Sequence, residues 1–421
     1  MGEAHAGIDT MNQGIGRRAA LALGAATLAA PRARAQASAE VKIAMLVPLS
    51  GPWARSGQLE RLGAEMAVED VNKAGGVKAL GGARLRLLQY DTQDSAEKAK
   101  DGAQRMVAEH PDLAGGFGCW LSTFTLAATE VTERAQLPWF TLSYSDAITG
   151  RGFRYVFQTS PTAIAQAEAT VPLVMRLAQA AGGKRPAKLA IIGDNTASSV
   201  SFRKPLDAHV LKDNNLTVVV DKTYTPPLSD ATTLVQPVRG ARPDFVLLLS
   251  TAVGDDKMLA DTFAQYGMPA TRVPLIGNGG HWTAPELLKT AGSDVMQGII
   301  VVLANWPGKE QAELSKRFVA RTGEPWFGHD SIFAYGHVMA LAAAIEAAGS
   351  AERTKVADAI RKMDLTTGPA LLFPGHRLQF DANGRRIGAE VVTVQWHDGR
   401  PVTVFPEASA AAKPIWKGQQ A

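Results

Sequence analysis

From residue 41 onward, short apolar runs alternate with longer segments whose apolar residues recur at helical spacing. The runs fall into two series, at 41–49, 84–90, 113–117 and 138–142, and then at 188–192, 217–223, 244–250, 273–277 and 298–304. Strands that alternate with helices form parallel sheets through right-handed crossovers. Continuous apolar runs are typical of strands that are buried on both faces. The sequence therefore predicts an α/β fold of two doubly wound lobes of similar size.

Three extended stretches, near 159–161, 304–307 and 380, are expected to cross between these series. They predict a first lobe at 41–160 plus 305–378, a second at 161–304 plus 379–410, and a tail at 411–421. Lobes joined by several crossings can hinge and close on a ligand. We therefore expect a small-molecule site in the cleft between the lobes.

Residues 1–35 have the pattern of an export signal. An Arg-Arg pair precedes an apolar run at 19–30, which leads to a small-x-small site ending at Ala35. That run is too short to span a bilayer. The Arg-Arg pair leaves twin-arginine and ordinary secretory export open, and the chain can start at Met1 or Met11. We expect an exported protein that is cleaved near Ala35.

Charge and motifs argue against several classes of function. The full chain carries 44 basic and 40 acidic residues, and removal of the signal leaves 40 and 38, a net charge of +2. This balance gives no electrostatic basis for binding nucleic acid. No GxSxG, HExxH, Walker A or complete GxGxxG motif occurs, and the eight histidines lack metal-ligand spacing. An enzyme is disfavoured, and no cofactor or metal is predicted. Cys119 is the only cysteine, so no intramolecular disulfide can form.

Small hydroxyl residues follow two successive strands of the first lobe. Ser122 and Thr123 come after the run at 113–117, and Ser143 and Ser145 come after the next run. Ligands of parallel α/β sheets bind outside the carboxyl ends of the strands, where helix N-termini offer free N–H donors. Ser122 can also cap the helix that begins there, a role compatible with ligand contact. This stretch predicts one wall of a site suited to an anion.

Six segments, in their order and spacing, resemble the type I periplasmic solute-binding proteins of ABC importers, in the leucine/isoleucine/valine-binding branch. They are PLSGPWARSG, GAEMAVEDVNKAGGV, YDTQDSAEKA, GCWLSTFTLA, GRGFRYVFQTSP and YTPPLSDATTLVQPVRGARPDFVLL. The resemblance implies a bilobal Venus-flytrap fold, a periplasmic monomer and ABC permease subunits as partners. It also implies that Ser122, Ser143 and Ser145 hold the ligand's carboxylate.

The sequence departs from that branch in the second lobe. The resemblance implies an acid after the run at 273–277 that pairs with a ligand ammonium, but Gly279 stands there. A buried ammonium without an anionic partner is unfavourable, so this loss argues against an amino-acid ligand. Asp255, Asp256 or Asp330 could supply the charge from elsewhere. Ser198 and Thr251 stand nearest to the tyrosines that the branch uses in this lobe.

Aromatic residues occur in the loops that are expected to face the cleft. Trp120 and Tyr144 flank the serines, and His281 could donate to a ligand. The other aromatics, for which core packing is an alternative in several cases, are Trp53, Trp282, Trp306, Trp326 and Phe327. An aromatic pocket with an anion end predicts an aromatic or other apolar carboxylate. An amino acid, an amide or urea, and a ligand-sensing role in regulation remain alternatives.

Overall fold

The computed structural model describes residues 40–182 and 184–416. The predicted signal at 1–35 lies outside the described residues. The strands are β1 Glu40–Val47, β2 Arg84–Asp91, β3 Gly115–Gly118, β4 Trp139–Thr141, β5 Val156–Gln158, β6 Lys188–Asp194, β7 Thr217–Tyr224, β8 Phe245–Leu249, β9 Leu275–Asn278, β10 Ile300–Leu303, β11 Asp364–Leu365, β12 Leu378–Gln379, β13 Val392–His397 and β14 Arg400–Phe405.

Helices separate the strands along most of the chain. They are α1 Ala54–Lys73, α2 Ala96–Glu109, α3 Ser122–Arg134, α4 Ala163–Ala180, α5 Ala197–Pro205, α6 Leu211–Asp213, α7 Thr232–Ala241, α8 Val253–Gln265, α9 Pro285–Thr290, α10 Ser293–Met296, α11 Ala312–Thr322, α12 His329–Ala348 and α13 Arg353–Arg361. A π-helical turn, Leu206–Val210, joins α5 to α6.

Two separate sheets form the two lobes. The sheet of lobe one has the order β2-β1-β3-β4-β5, and all of its strand pairs are parallel. The sheet of lobe two has the order β14-β13-β10-β9-β8-β6-β7, in which β13 and β14 form an antiparallel edge on a parallel sheet. The predicted architecture of two α/β lobes is therefore confirmed.

The third crossing between the lobes lies later in the chain than the sequence boundary at 378/379. Phe380 packs against Phe140 and Phe157 of lobe one, with ring centroids 5.7 and 5.3 Å away. The backbone of Arg386 donates to the Gln158 carbonyl at 2.9 Å. These aromatic and backbone contacts hold the segment at 379–391 on lobe one, and the chain enters lobe two at β13.

Strand β3 is built almost entirely of glycine because its neighbours approach it closely. A Cβ at Gly116 would lie 2.4 Å from the Trp139 indole, and a Cβ at Gly115 would lie 2.8 Å from Leu341 of α12. Gly118 ends the strand with φ +140°, a conformation that side chains rarely allow. These glycines set the direction in which the chain leaves β3, and so place the loop that leads to Ser122.

Helix α12 is the central helix of lobe one. It is the one described helix that is long and apolar enough to cross a membrane, and 67% of its most apolar window is buried inside the protein. It packs along α1, where a Cβ at Gly63 would lie 2.0 Å from the Ser331 carbonyl oxygen. The apolar character of α12 is therefore used in the core of the lobe.

We expect Gly63→Ala to destabilise the protein by about 1–3 kcal/mol, because the added methyl group forces α1 and α12 apart. Gly254→Ala is the matched control, since a Cβ at this exposed position on α8 meets no heavy atom within 4 Å. The control should be neutral or stabilising by up to about 1 kcal/mol. Urea unfolding of both variants measures the difference, and equal midpoints would contradict close packing at Gly63.

Candidate functional site

A cavity of about 420 Å³, including its mouth, lies between the lobes at the carboxyl ends of their strands. Its wall consists of Trp120, Leu121, Ser122, Leu142, Ser143, Tyr144, Ser198, Ser199, Ser250, Thr251, Asn278, Gly280, His281 and His329. They lie at or just after the ends of β3, β4, β6, β8 and β9, including the first turns of α3 and α5, and at the first residue of α12.

Ser122 joins the two loops of lobe one and keeps a proton to donate. Its Oγ accepts the backbone N–H groups of Tyr144 and Ser145 at 3.1 and 3.0 Å. No acceptor for the Ser122 hydroxyl proton is found among the described residues, and the side chain lines the cavity. Helix α3 begins here, and the first N–H groups of a helix have no intrahelical acceptor. This corner of the cavity can therefore bind an anion.

Ser143 lines the same wall, but its hydroxyl is used inside the protein. Its Oγ donates to the Trp120 carbonyl at 2.6 Å and lies 2.7 Å from the Thr125 hydroxyl. These two bonds tie the loop after β4 to the loop after β3. Ser143 therefore supports the wall through its side chain, and a contact between its hydroxyl and a ligand stays a prediction.

Thr123, Ser145 and Trp53 lie outside the cavity wall and contact lobe two instead. The Thr123 hydroxyl accepts the backbone N–H of Ala197 at 3.2 Å. The hydroxyls of Ser145 and Ser201 are 2.8 Å apart, and the Trp53 indole donates to Thr251 Oγ1 at 3.3 Å. The hydroxyls of Thr123 and Ser145 lie at the expected strand ends. They form hydrogen bonds with lobe two, where the sequence predicted contacts with a ligand.

A cluster of ionised residues adds to these direct contacts between the lobes. Arg55, at the start of α1, binds Glu286 of α9 in lobe two, and its Nη2 lies 2.7 Å from the Glu324 carboxylate. The Arg55 side chain is only 17% exposed, so bulk salt screens the cluster less than a fully exposed pair. Arg55 therefore fastens the two lobes together by charge.

The loop after β9 places a histidine where the sequence suggested a missing acid. Gly279 has φ +112°, and a Cβ there would lie 2.6 Å from Nε2 of His281. His281 lines the cavity, whereas Gly279 does not. A side chain at 279 would thus collide with the imidazole, so the ring of His281 fills the space beside this glycine.

His281 is anchored to a buried carboxylate on α8. Its Nδ1 lies 2.6 Å from Asp256 Oδ2, and its Nε2 lies 3.1 Å from the Asn278 carbonyl. Burial works against charge on His281, but Asp256 outweighs it and raises the pKa of the imidazole. Burial raises the pKa of Asp256, against the effect of His281. The Ser250 hydroxyl donates to the second Asp256 oxygen at 2.5 Å.

Trp282 supports this arrangement from beneath and does not line the cavity. Its side chain is fully buried, and its indole N–H donates to Ser250 Oγ at 3.1 Å. Trp306 and Trp326 pack against the core of lobe two, and Phe327 lies in the core of lobe one. The aromatic residues of the cavity wall are therefore Trp120 and Tyr144, together with the two histidines.

Thr251 and Ser198 form the rest of the predicted wall of lobe two. The Thr251 hydroxyl donates to Asp194 Oδ2 at 2.6 Å, and Asp194 Oδ1 accepts the backbone N–H and the hydroxyl of Thr196. Asp194 therefore has donors on both oxygens. Ser198 lies 3.3 Å from the Thr196 hydroxyl, a weak contact that leaves Ser198 available to a ligand.

His329 is a wall residue that the sequence did not predict. Its Nδ1 lies 3.1 Å from the Asn305 carbonyl, so this nitrogen carries the proton and Nε2 accepts from the Tyr144 hydroxyl at 3.1 Å. Burial lowers the pKa of His329 to about 3, so the ring is neutral. A histidine at the start of an apolar helix gave no sequence signal, because its partners are 24 and 185 residues away.

Two buried acids lie behind the wall in lobe one. Trp120 donates its indole N–H to Asp330 Oδ1 at 3.0 Å, and burial raises the pKa of Asp330 to about 6. Glu60 of α1 is fully buried, and neither of its oxygens has a hydrogen-bond partner. Burial and the charge of Asp330 raise the pKa of Glu60 well above its usual value. Glu60 therefore holds its proton to a higher pH than an exposed carboxyl does.

Comparison with known proteins agrees with this bilobal arrangement. The family model for periplasmic binding proteins matches residues 40–401. The chain belongs to that family. A Leu/Ile/Val-binding protein homolog of Brucella melitensis is 30% identical over 395 residues, which cover 90% of this chain and 94% of the relative. This periplasmic binding protein falls in the leucine/isoleucine/valine-binding branch, whose members are solute-binding transport proteins and not enzymes.

Solved structures share the fold. The leucine-binding protein LivK of Thermotoga maritima has a TM-score of 0.73 at 20% identity, covering 86% of this chain and 97% of its own. A solute-binding protein of an ABC transporter from R. palustris, in complex with benzoate, has a TM-score of 0.72 at 18% identity, covering 91% and 100%. These similarities show that the chain shares the two-lobed fold of both proteins.

We expect Arg55→Gln to loosen the contact between the lobes of this binding protein, since its ion pairs with Glu286 and Glu324 are lost. Small-angle X-ray scattering of ligand-free protein should give a larger radius of gyration for the variant than for the wild type. Lys316→Gln, which removes an exposed pair within lobe one, is the control. An unchanged radius for Arg55→Gln would contradict a fastening role.

We expect Glu60→Gln to stabilise the protein at pH 7.5 and to have little effect near pH 4.5. Because the carboxyl pKa is raised in the folded protein, folding becomes less favourable as pH rises from the unfolded pKa, near 4.5, toward the folded pKa. We therefore expect the stabilisation by Glu60→Gln to grow as the pH rises from 4.5 to 7.5. Urea unfolding across this range measures it, with exposed Glu97→Gln as control. Equal stability of the variant and the wild type at pH 7.5 would contradict a raised pKa of Glu60.

Proposed function

We propose that the protein captures a small carboxylate without an amine, such as an aromatic or other apolar acid, and delivers it to an ABC permease. The observation that carries this proposal is the charge of the cavity wall. No Asp, Glu, Lys or Arg lines the cavity within the described residues. A ligand ammonium enclosed there would lack a carboxylate partner, which is unfavourable for a buried charge.

The nearby acids do not replace that partner. Asp194 and Asp256 accept hydrogen bonds from protein donors on both oxygens, and Asp330 accepts the indole N–H of Trp120. Asp255 lies under the loop that contains Leu228 and accepts the backbone N–H of that residue at 2.8 Å. None of these acids lines the cavity, so none is placed to pair with a ligand ammonium there.

The opposite end of the cavity suits a carboxylate. The free proton of the Ser122 hydroxyl and the N-terminus of α3 point to an acceptor in the ligand. The Trp120 and Tyr144 rings offer apolar surface beside it. The solved relative from R. palustris was crystallised with benzoate, which supports a ligand of this class.

An amino-acid ligand is the second candidate. Several relatives carry Leu/Ile/Val-binding names, and other proteins of this fold were crystallised with Leu or isoleucine. An amide is the third, since the side-chain oxygen of Asn278 accepts no donor among the described residues and could accept an amide N–H. An amino acid and an amide both carry N–H groups that need a hydrogen-bond acceptor in the cavity wall, whereas a carboxylate has no N–H group.

We place this function in the periplasm, as a monomer. Family membership and the predicted signal support export, and the permease subunits would be partners that recognise the closed form. The ligand docks on lobe one at Ser122, and lobe two then closes over it. Closure raises the affinity for the ligand only to the extent that the closed form adds contacts with it.

Isothermal titration of the mature protein with benzoate, L-leucine and benzamide at pH 7 tests the proposal. Benzoate should bind more tightly than the other two probes. Ser122→Ala should weaken benzoate binding by about 1–3 kcal/mol, because the donor to the carboxylate is lost. Ser229→Ala, at an exposed position away from the cavity, is the matched control. Binding of leucine with no binding of benzoate would overturn the proposal, and unchanged affinity of Ser122→Ala would remove the assigned anchor.

A further inference from the structure

One charged side chain stands in the wall of the cavity, and it comes from lobe two. Among the lining residues of the described chain, the imidazoles of His281 and His329 are the groups that can carry a positive charge. His329 is neutral, because its Nε2 accepts the Tyr144 hydroxyl proton. The charge that a ligand meets therefore depends on His281.

The hydrogen bonds of His281 call for a proton on each ring nitrogen. Nε2 faces the Asn278 carbonyl, which can only accept, so Nε2 carries a proton. Nδ1 faces Asp256 Oδ2 at 2.6 Å, and an imidazole is ordinarily more basic than a carboxylate by about 2.5 pKa units. The shared proton therefore belongs on Nδ1, which makes the ring an imidazolium beside a carboxylate.

The orientation of this pair places its positive end toward the ligand. His281 lines the cavity, whereas the Asp256 side chain is fully buried behind it on α8. The other titratable groups around the ring are Asp194 at the end of β6 and Asp330 and His329 on α12. Asp194 and Asp330 bind other protein donors, Thr251 and Trp120 among them. These neutral donors do not cancel the charge of the carboxylates, but the carboxylates lie outside the wall, so the imidazolium is the charge nearest to a ligand.

We infer that His281, held in its charged form by Asp256, is the residue that makes the cleft select carboxylates over amino acids. An ammonium on the ligand would approach the imidazolium and be repelled, whereas a ligand with only a carboxylate gains from the same charge. This inference rests on the proposed function and assigns its selectivity to one side chain. This position of the His281 ring also requires glycine at 279, since a Cβ there would collide with the ring.

The experiment uses two pairs of ligands that differ in the α-ammonium group alone. These pairs are 3-phenylpropionate with L-phenylalanine and 4-methylpentanoate with L-leucine. Dissociation constants are measured at pH 7 for the wild type, His281→Gln and Asp256→Asn. His209→Gln, a half-exposed histidine of the same lobe, is the matched control. Thermal unfolding verifies that each variant is folded.

We expect the wild type and His209→Gln to prefer the carboxylate of each pair by at least about tenfold. In His281→Gln the preference should fall at least about fivefold, through weaker binding of the acid and tighter binding of the amino acid. Asp256→Asn should shift the preference in the same direction, since it leaves the ring in place without its counter-ion, and it serves if His281→Gln does not fold.

A second measurement needs no ligand. Proton–nitrogen correlation spectra of the histidine rings at pH 7 should show both nitrogens of His281 protonated and one nitrogen of His329 protonated. The His281 signals are assigned by their loss in His281→Gln, or by their shift in Asp256→Asn. A neutral His281 ring would overturn the inference.

The outcomes separate the two proposals. A wild type that prefers the carboxylates, with the same preference in both variants, overturns the role of His281 and leaves the proposed function standing. A wild type that binds the amino acids as tightly as the acids, or binds neither acid, overturns the proposed function and the inference with it. A reduced preference together with a doubly protonated ring supports both.

Discussion

A charge that is enclosed between the two lobes must find its partner inside the cleft, because water no longer solvates it. The structure meets this constraint for its own residues before any ligand enters. Asp194 and Asp256 receive protein donors on both oxygens, and Trp120 donates to Asp330. With these acids committed, the wall offers a ligand hydroxyls, backbone donors, aromatic surface and one imidazolium.

The direct contacts between the lobes and the residues that line the cavity have different roles in binding. Thr123, Ser145, Trp53 and Arg55 join lobe one to lobe two directly. Such contacts favour the closed form equally for every ligand, so they set how readily the lobes meet and cannot distinguish one solute from another. Discrimination is left to the groups that line the cavity, which are Ser122 on one side and the loop after β9 on the other.

Much of this arrangement could be predicted from sequence, and the limit is a physical one. The alternation of apolar runs with helical segments predicted two α/β lobes, and the loops after β3 and β4 were predicted to form part of the wall. Both follow from local pattern and from the rule that strand ends carry sites. The direction of a hydroxyl is different, because it depends on partners distant in the chain. Ser143 binds Trp120 and Thr125, and Ser145 faces Ser201, 56 residues away.

Gly279 matters to the site because its lack of a side chain leaves room for the His281 ring. In sequence it registers as the loss of an acid, and a loss alone does not say what replaces the missing charge. The structure supplies the reason, since a side chain at 279 would occupy the space of the His281 ring. A side chain at 279, an acid included, and the present position of the His281 ring therefore exclude each other. In the proposed function, this loop presents the His281 imidazole to the ligand where an acid would bind an amine, and Ser122 is the anchor for the carboxylate.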